Sequence, residues 1–156
     1  MKSSIQIKLI LLKLFLFVSS VIWLTGIVSP CFDYDIFKAV YPFQKQFYSV
    51  VCHQDINKSF SCSNIFFLVC ARCSGIYLGT ALTSFIVIFI NRPLKIKTKL
   101  LVLFTLPLMA DVLFTTINIY NYNKIISSIT GLFFGSIVFL YILSAIENLL
   151  LQKKNQ

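Results

Sequence analysis

Four long apolar stretches constrain this chain more than any other feature of it. Leu9 to Val28, Ile65 to Ile90, Leu100 to Ile119 and Ile125 to Ile146 each supply the roughly 20 mostly apolar residues that cross a bilayer as a helix. Ser29-Pro30 closes the first and Asn91-Arg92-Pro93 the second, and the first two turns of the second read as an interfacial or broken extension. Only 12% of the residues are charged, where a soluble domain carries about a quarter. The pattern predicts an all-α integral membrane protein, four transmembrane helices in one bundle, with residues 1–156 forming a single membrane domain.

Basic residues ahead of an apolar core also describe a secretory signal peptide. The core here is long for one, and Pro30 ahead of Cys31 fits a lipoprotein cleavage site poorly. The stretch is therefore read as a retained helix.

Basic residues segregate between the loops. Lys2, Lys8, Arg92, Lys95, Lys97, Lys99, Lys153 and Lys154 fall on one side of a four-span chain. Lys38, Lys45, Lys58 and Lys124 fall on the other, offset by Asp33, Asp35 and Asp55. The positive-inside rule then places both termini in the cytoplasm and the loop from Ser29 to Asn64 outside the cell membrane. Topology accounts for the net charge of +9, so the lipid bilayer is the expected partner and nucleic acid is not. Phe32 to Tyr48 has near-helical apolar spacing and predicts an amphipathic helix on the outer surface, with Trp23, Tyr41, Tyr48 and Tyr120 as interface anchors.

That topology sets the chemistry of the five cysteines, which face the oxidising side, where disulfides persist. An odd count leaves at least one thiol unpaired, metal-bound or paired elsewhere. Cys70 and Cys73 are three apart on one helix face, at a helix N-terminus and beside Arg72, both of which favour thiolate. Cys52 lies 18 residues before Cys70, with His53 directly after it. Three readings follow. The cluster is a site for zinc or another thiolate-binding metal on Cys52, Cys70 and Cys73, with His53 or an exogenous ligand fourth. Or it is a thiol-disulfide relay with Cys70/Cys73 as the active pair and Cys52 or Cys62 as exchange partner. Or the cysteines are structural, as a staple or as small packed residues.

Cys52-His53-Gln54, Lys58-Ser59-Phe60 and Cys70-Ala-Arg-Cys73-Ser-Gly-Ile-Tyr77 together closely resemble a prokaryotic family of small membrane proteins catalogued only as a domain of unknown function. That family carries Cys-His-Gln, Arg-Ser-Phe and Cys-Ala-Arg-Cys-Thr-Gly-Ile-Tyr in this order. The resemblance extends through Pro107-Leu108-Met109 with Asp111, and Thr130-Gly131 with Gly135, covering roughly residues 50 to 140. Lys58, Val112 and Ser127 depart from it, standing where arginine, glycine and arginine are usual. The resemblance implies a site at these residues and brings no activity with it. A looser likeness, of architecture only, is to quinone-linked disulfide-forming enzymes and vitamin K epoxide reductase-type proteins. It implies that electrons from Cys70/Cys73 would pass to a lipid quinone.

Asp111 is costly in a membrane helix and is expected to face a partner or cavity. Measured from Asn91, Lys99 and Glu147 as inner boundaries, Gly79, Asp111 and Gly135 are each twelve residues in, or about 18 Å. Counting predicts that Asp111 lies near the middle of its helix, level with both glycines and about 10 Å below Arg72. A direct ion pair with Arg72 stays open at that distance; otherwise Asp111 would be a neutral carboxyl bonded to Tyr77 or Thr130, or a proton carrier and so the candidate catalytic group. Arg72 and Tyr77 are the candidate cofactor-binding residues. Gly75/Gly79 and Gly131/Gly135 are small-xxx-small pairs that permit close helix approach, which also suits a structural subunit of a membrane complex with no site chemistry.

Overall fold

A computed structural model describes residues 2–32, 35–62, 65–90 and 96–152. Asp33, Asn64, Asn91, Arg92, Pro93, Lys95, Lys153 and Lys154 lie outside the described residues. The chain runs α1 (Lys2–Val28), a 3-10 turn (Ser29–Cys31), α2 (Asp35–Ser49), a second 3-10 turn (Ile56–Lys58), β1 (Ser59–Cys62), β2 (Ile65–Cys70), α3 (Ala71–Ile88), α4 (Thr98–Thr116) and α5 (Lys124–Gln152). Four helical segments are long and apolar enough to cross a membrane: Leu9–Cys31, Ala71–Ile88, Thr98–Thr116 and Lys124–Leu150. Phe15, Ile22, Ile86, Leu103 and Ile125 stand exposed along them. Such a surface is stable against lipid and unstable against water.

The bundle is organised around α3 and α5, which run parallel with their backbones in contact. A Cβ at Gly75 would strike the Ser128 carbonyl, at Gly79 that of Leu132, at Gly131 that of Arg72 and at Gly135 that of Ile76. All four glycines are needed for this approach, because lipid gives helices no hydrophobic reason to associate and close packing must supply it. α1 packs on α3, and α4 on α5.

The second apolar stretch departs from the sequence reading. Ile65–Cys70 is a strand, antiparallel to Ser59–Cys62 with Cys62 opposite Ile65 and Ser59 opposite Cys70, and the helix starts only at Ala71. β2 ends deep in one end of the bundle, where Leu68 and Val69 are buried against Ile27 of α1, Tyr48 of α2 and Cys52. α2 spans Asp35–Ser49 and contains Pro42. Tyr48 is not an interface anchor: it is buried and its hydroxyl donates to the Trp23 carbonyl at 2.8 Å.

Depth along the bundle also differs from the counted estimate. Thr98 of α4 meets Tyr141, and Asp111 meets Ser127, so Lys99 lies roughly opposite Leu140 rather than Glu147. Asp111 therefore rides about 10 Å higher than predicted. It is level with the first turn of α3, near the C-terminal end of α4, not near its middle. Glu147, by contrast, stays level with Ile90, as the count has it. It is fully buried, and its carboxylate lies 3.1 Å from Lys13 Nζ, which also donates to the Ile90 carbonyl at 2.8 Å.

Candidate metal centre

Three chain segments deliver one sulfur each to the N-terminal end of α3. Cys52 follows α2 through a tight turn in which its N–H donates to the Tyr48 carbonyl at 3.0 Å. Cys70 is the last residue of β2 and the extended N-cap of α3, and Cys73 lies in the first turn of that helix. The strand-to-helix junction replaces the helical i, i+3 relation expected of Cys70 and Cys73, yet both sulfurs still converge. The Sγ atoms of Cys52, Cys70 and Cys73 all lie within 4.8 Å of one another, with Cys52 buried and the other two half-buried.

The electrostatics of the group favour a thiolate at Cys52. Its sulfur accepts hydrogen bonds from the Cys70 and Cys73 thiols, and from the backbone N–H groups of Cys70, at 3.2 Å, and Gln54. These donors hold Cys52 well below the ordinary thiol value, against the opposing effect of burial. The Cys70 thiol is pushed up, first by its bond to Cys52. A proton-sharing trio with one anionic member is the arrangement that a soft cation displaces protons from.

The Cys-His-Gln run has a local explanation. Gln54 adopts a positive φ of 51°, which turns the chain after Cys52, and its side-chain amide donates to the Lys45 carbonyl at 2.8 Å. The turn is thereby clipped back onto α2. Cys52 faces inward, and His53 is left exposed and outside the three-sulfur group, since consecutive side chains in a turn cannot both enter one small pocket.

Asp111 is bound to Arg72, not to Tyr77 or Thr130. Arg72 Nη2 and Nε lie 2.6 and 3.1 Å from Asp111 Oδ2, the Ser127 hydroxyl donates to the same oxygen at 2.8 Å, and the Tyr120 hydroxyl donates to Oδ1. The cation partner removes the reason to expect a neutral carboxyl. Tyr120, expected as an interface anchor, is instead an Asp111 donor. Thr130 donates to the Ser127 carbonyl, and Tyr77 packs on Trp23 with ring centroids 5.7 Å apart. Arg72 sits between the two α3 cysteines, so Asp111 acts on the sulfur group by fixing the start of α3. The turn before α5 docks there too: Lys124 Nζ donates to the Ser59 carbonyl at 2.7 Å, and Tyr122 lies 5.8 Å below the Arg72 guanidinium.

The family model for "Predicted membrane protein (DUF2085)" matches residues 52–141, from the first cysteine of the sulfur group to the middle of α5. The chain belongs to this family. A relative, an uncharacterised protein of Methanocaldococcus jannaschii, is 32% identical over 109 residues, covering 68% of this chain and 70% of its own length. No solved structure matches. The DUF2085 match thus takes in the β-hairpin, the three sulfurs, the Arg72–Asp111 pair and the four-glycine contact.

Proposed function

We propose that this membrane protein holds one thiolate-binding metal ion, zinc by ligand preference, on Cys52, Cys70 and Cys73 at its extracytoplasmic end. The observation that carries the reading is the convergence of three sulfurs within 4.8 Å of one another from three separate segments. A tetrahedral ion with sulfur at about 2.3 Å needs ligand atoms about 3.8 Å apart, so closing the site takes only a small contraction. With His53 exposed, the fourth place is left to an exogenous ligand, the open pattern of zinc sites that do chemistry rather than the closed one of structural sites. When bound, the metal would supply Lewis acidity at that place. The chain's own part is to fix the sulfurs: Arg72, anchored by Asp111, sets the start of α3, and the Gln54 turn sets Cys52. The outward orientation rests on the segregation of lysines and arginines between the loops.

Elemental analysis of protein purified without chelator or immobilised-metal resin, with thiol counting after denaturation, tests the proposal. The expected result is near one metal per chain, lost in Cys70→Ser and in Cys73→Ser. The second reading is a relay in which the Cys70/Cys73 dithiol is oxidised to a disulfide and its two electrons and two protons pass to a lipid quinone, giving the quinol. It is favoured by an apolar cleft of about 870 Å³ between α1 and α2, bordered by Trp23 and Tyr48, which also pack on the sulfur group. Metal-free protein with a Cys70–Cys73 disulfide that cycles with added quinone would overturn the metal proposal in favour of this one.

A further inference from the structure

Two cysteines stand apart from the three-sulfur group, and the fold brings them together. Cys31 ends the 3-10 turn after α1, and Cys62 ends β1, where it pairs with Ile65 of β2. The turn packs against β2, and the Cys31 side chain interacts directly with that of Cys62. Ser29, fully buried, anchors the turn from below, its hydroxyl 2.8 Å from the Gly26 carbonyl and from the Gln44 side chain. Both cysteines are free thiols here and both are half-buried, open to a small oxidant or an exchange partner.

We propose that Cys31 and Cys62 form a disulfide that staples the outer end of α1 to the β-hairpin. The step is two successive thiol-disulfide exchanges with an external disulfide: the new Cys31–Cys62 bond forms, the oxidant's sulfur–sulfur bond breaks, and the two protons and two electrons end on its two thiols. The inference rests on the outward placement proposed above, since only there does such a bond persist. It answers the odd cysteine count, with three sulfurs for the metal and two for the staple. The bond closes a loop of about 30 residues that contains α2 and Cys52, and its far end lies on the hairpin that carries Cys70. Two of the three metal ligands are thereby tied to α1 without spending a ligand sulfur. Cys31 precedes the residues matched by the family model.

The test is peptide mapping of the full chain, with thiols trapped by acid and alkylated in intact cells before purification, run without reductant. In parallel, a Lys45→Cys variant is labelled from outside with an impermeant maleimide. The expected result is one cross-linked species joining the Cys31 and Cys62 peptides, lighter by two hydrogens than the separate thiol peptides and parted by reductant. Cys31→Ser should leave Cys62 open to alkylation. Both cysteines alkylated in protein whose Lys45→Cys labels from outside would overturn the staple and leave the topology standing. Both alkylated with Lys45→Cys protected would overturn the staple through the topology on which it rests. Cys62 joined to Cys52, or still blocked in Cys31→Ser, would overturn the pairing.

Discussion

Asp111 gathers three donors, from Arg72, Tyr120 and Ser127, around one carboxylate that is 4% exposed. Asp111→Asn would leave the guanidinium without its charge partner. A fully buried pair loses about 3–5 kcal/mol when broken; Arg72 keeps 23% side-chain exposure, so the expected loss is about 2 kcal/mol. Denaturation in detergent, wild type against Asp111→Asn, measures it, and unchanged stability would contradict the pair's structural role. The bond to Asp111 pushes Tyr120 from 10.0 up to about 12. Because the folded-state value is raised, the stability it brings is present below pH 10 and lost as pH rises toward 12. Tyr120→Phe should flatten that alkaline loss; superimposable profiles would exclude the bond. The sequence marks Asp111 as needing a partner and leaves Arg72 open as one, but depth counted from assumed boundaries sets the two about 10 Å apart. Glu147, read as a boundary, is buried beside Lys13, and nothing local in the sequence marks α4 as displaced along its neighbours.

At the scale of elements, the glycine contact between α3 and α5 is legible as two small-xxx-small pairs, since spacing alone fixes a helix face. The hairpin is not. Ile65–Cys70 is a short continuous apolar run joined to an apolar helix, and periodicity cannot separate a buried strand from a buried helix in such a run. The hint is the β-branched and aromatic content of Ile65-Phe-Phe-Leu-Val69. Its consequence is large, because a strand entering α3 makes Cys70 an extended N-cap, aimed back at Cys52. Gly79→Ala or Gly135→Ala should force α3 and α5 apart. The expected loss, about 2 kcal/mol or more from overpacking against backbone, is checked by thermal unfolding in detergent and contradicted by a wild-type midpoint.

Across the whole molecule, two ion pairs tie the bundle at opposite ends. Arg72–Asp111 joins α3 to α4 beside the sulfur group, and Lys13–Glu147 joins α1 to α5 at the other end, with side chains 7% and 0% exposed. Buried charges in a membrane bundle bind helices only while paired. Lys13→Met should therefore destabilise by about 3 kcal/mol and leave the three sulfurs, at the far end, with their metal; loss of metal in that variant would show that the two ends are coupled. At the Arg72–Asp111 end, Cys52, Cys70 and Cys73 form the proposed site for one metal ion. X-ray absorption at the metal edge of the purified protein reads its ligands. Three sulfur neighbours at about 2.3 Å are expected, falling to two in any metal that Cys52→Ser retains. A shell of nitrogen and oxygen alone, or no metal at the edge, would contradict the proposal.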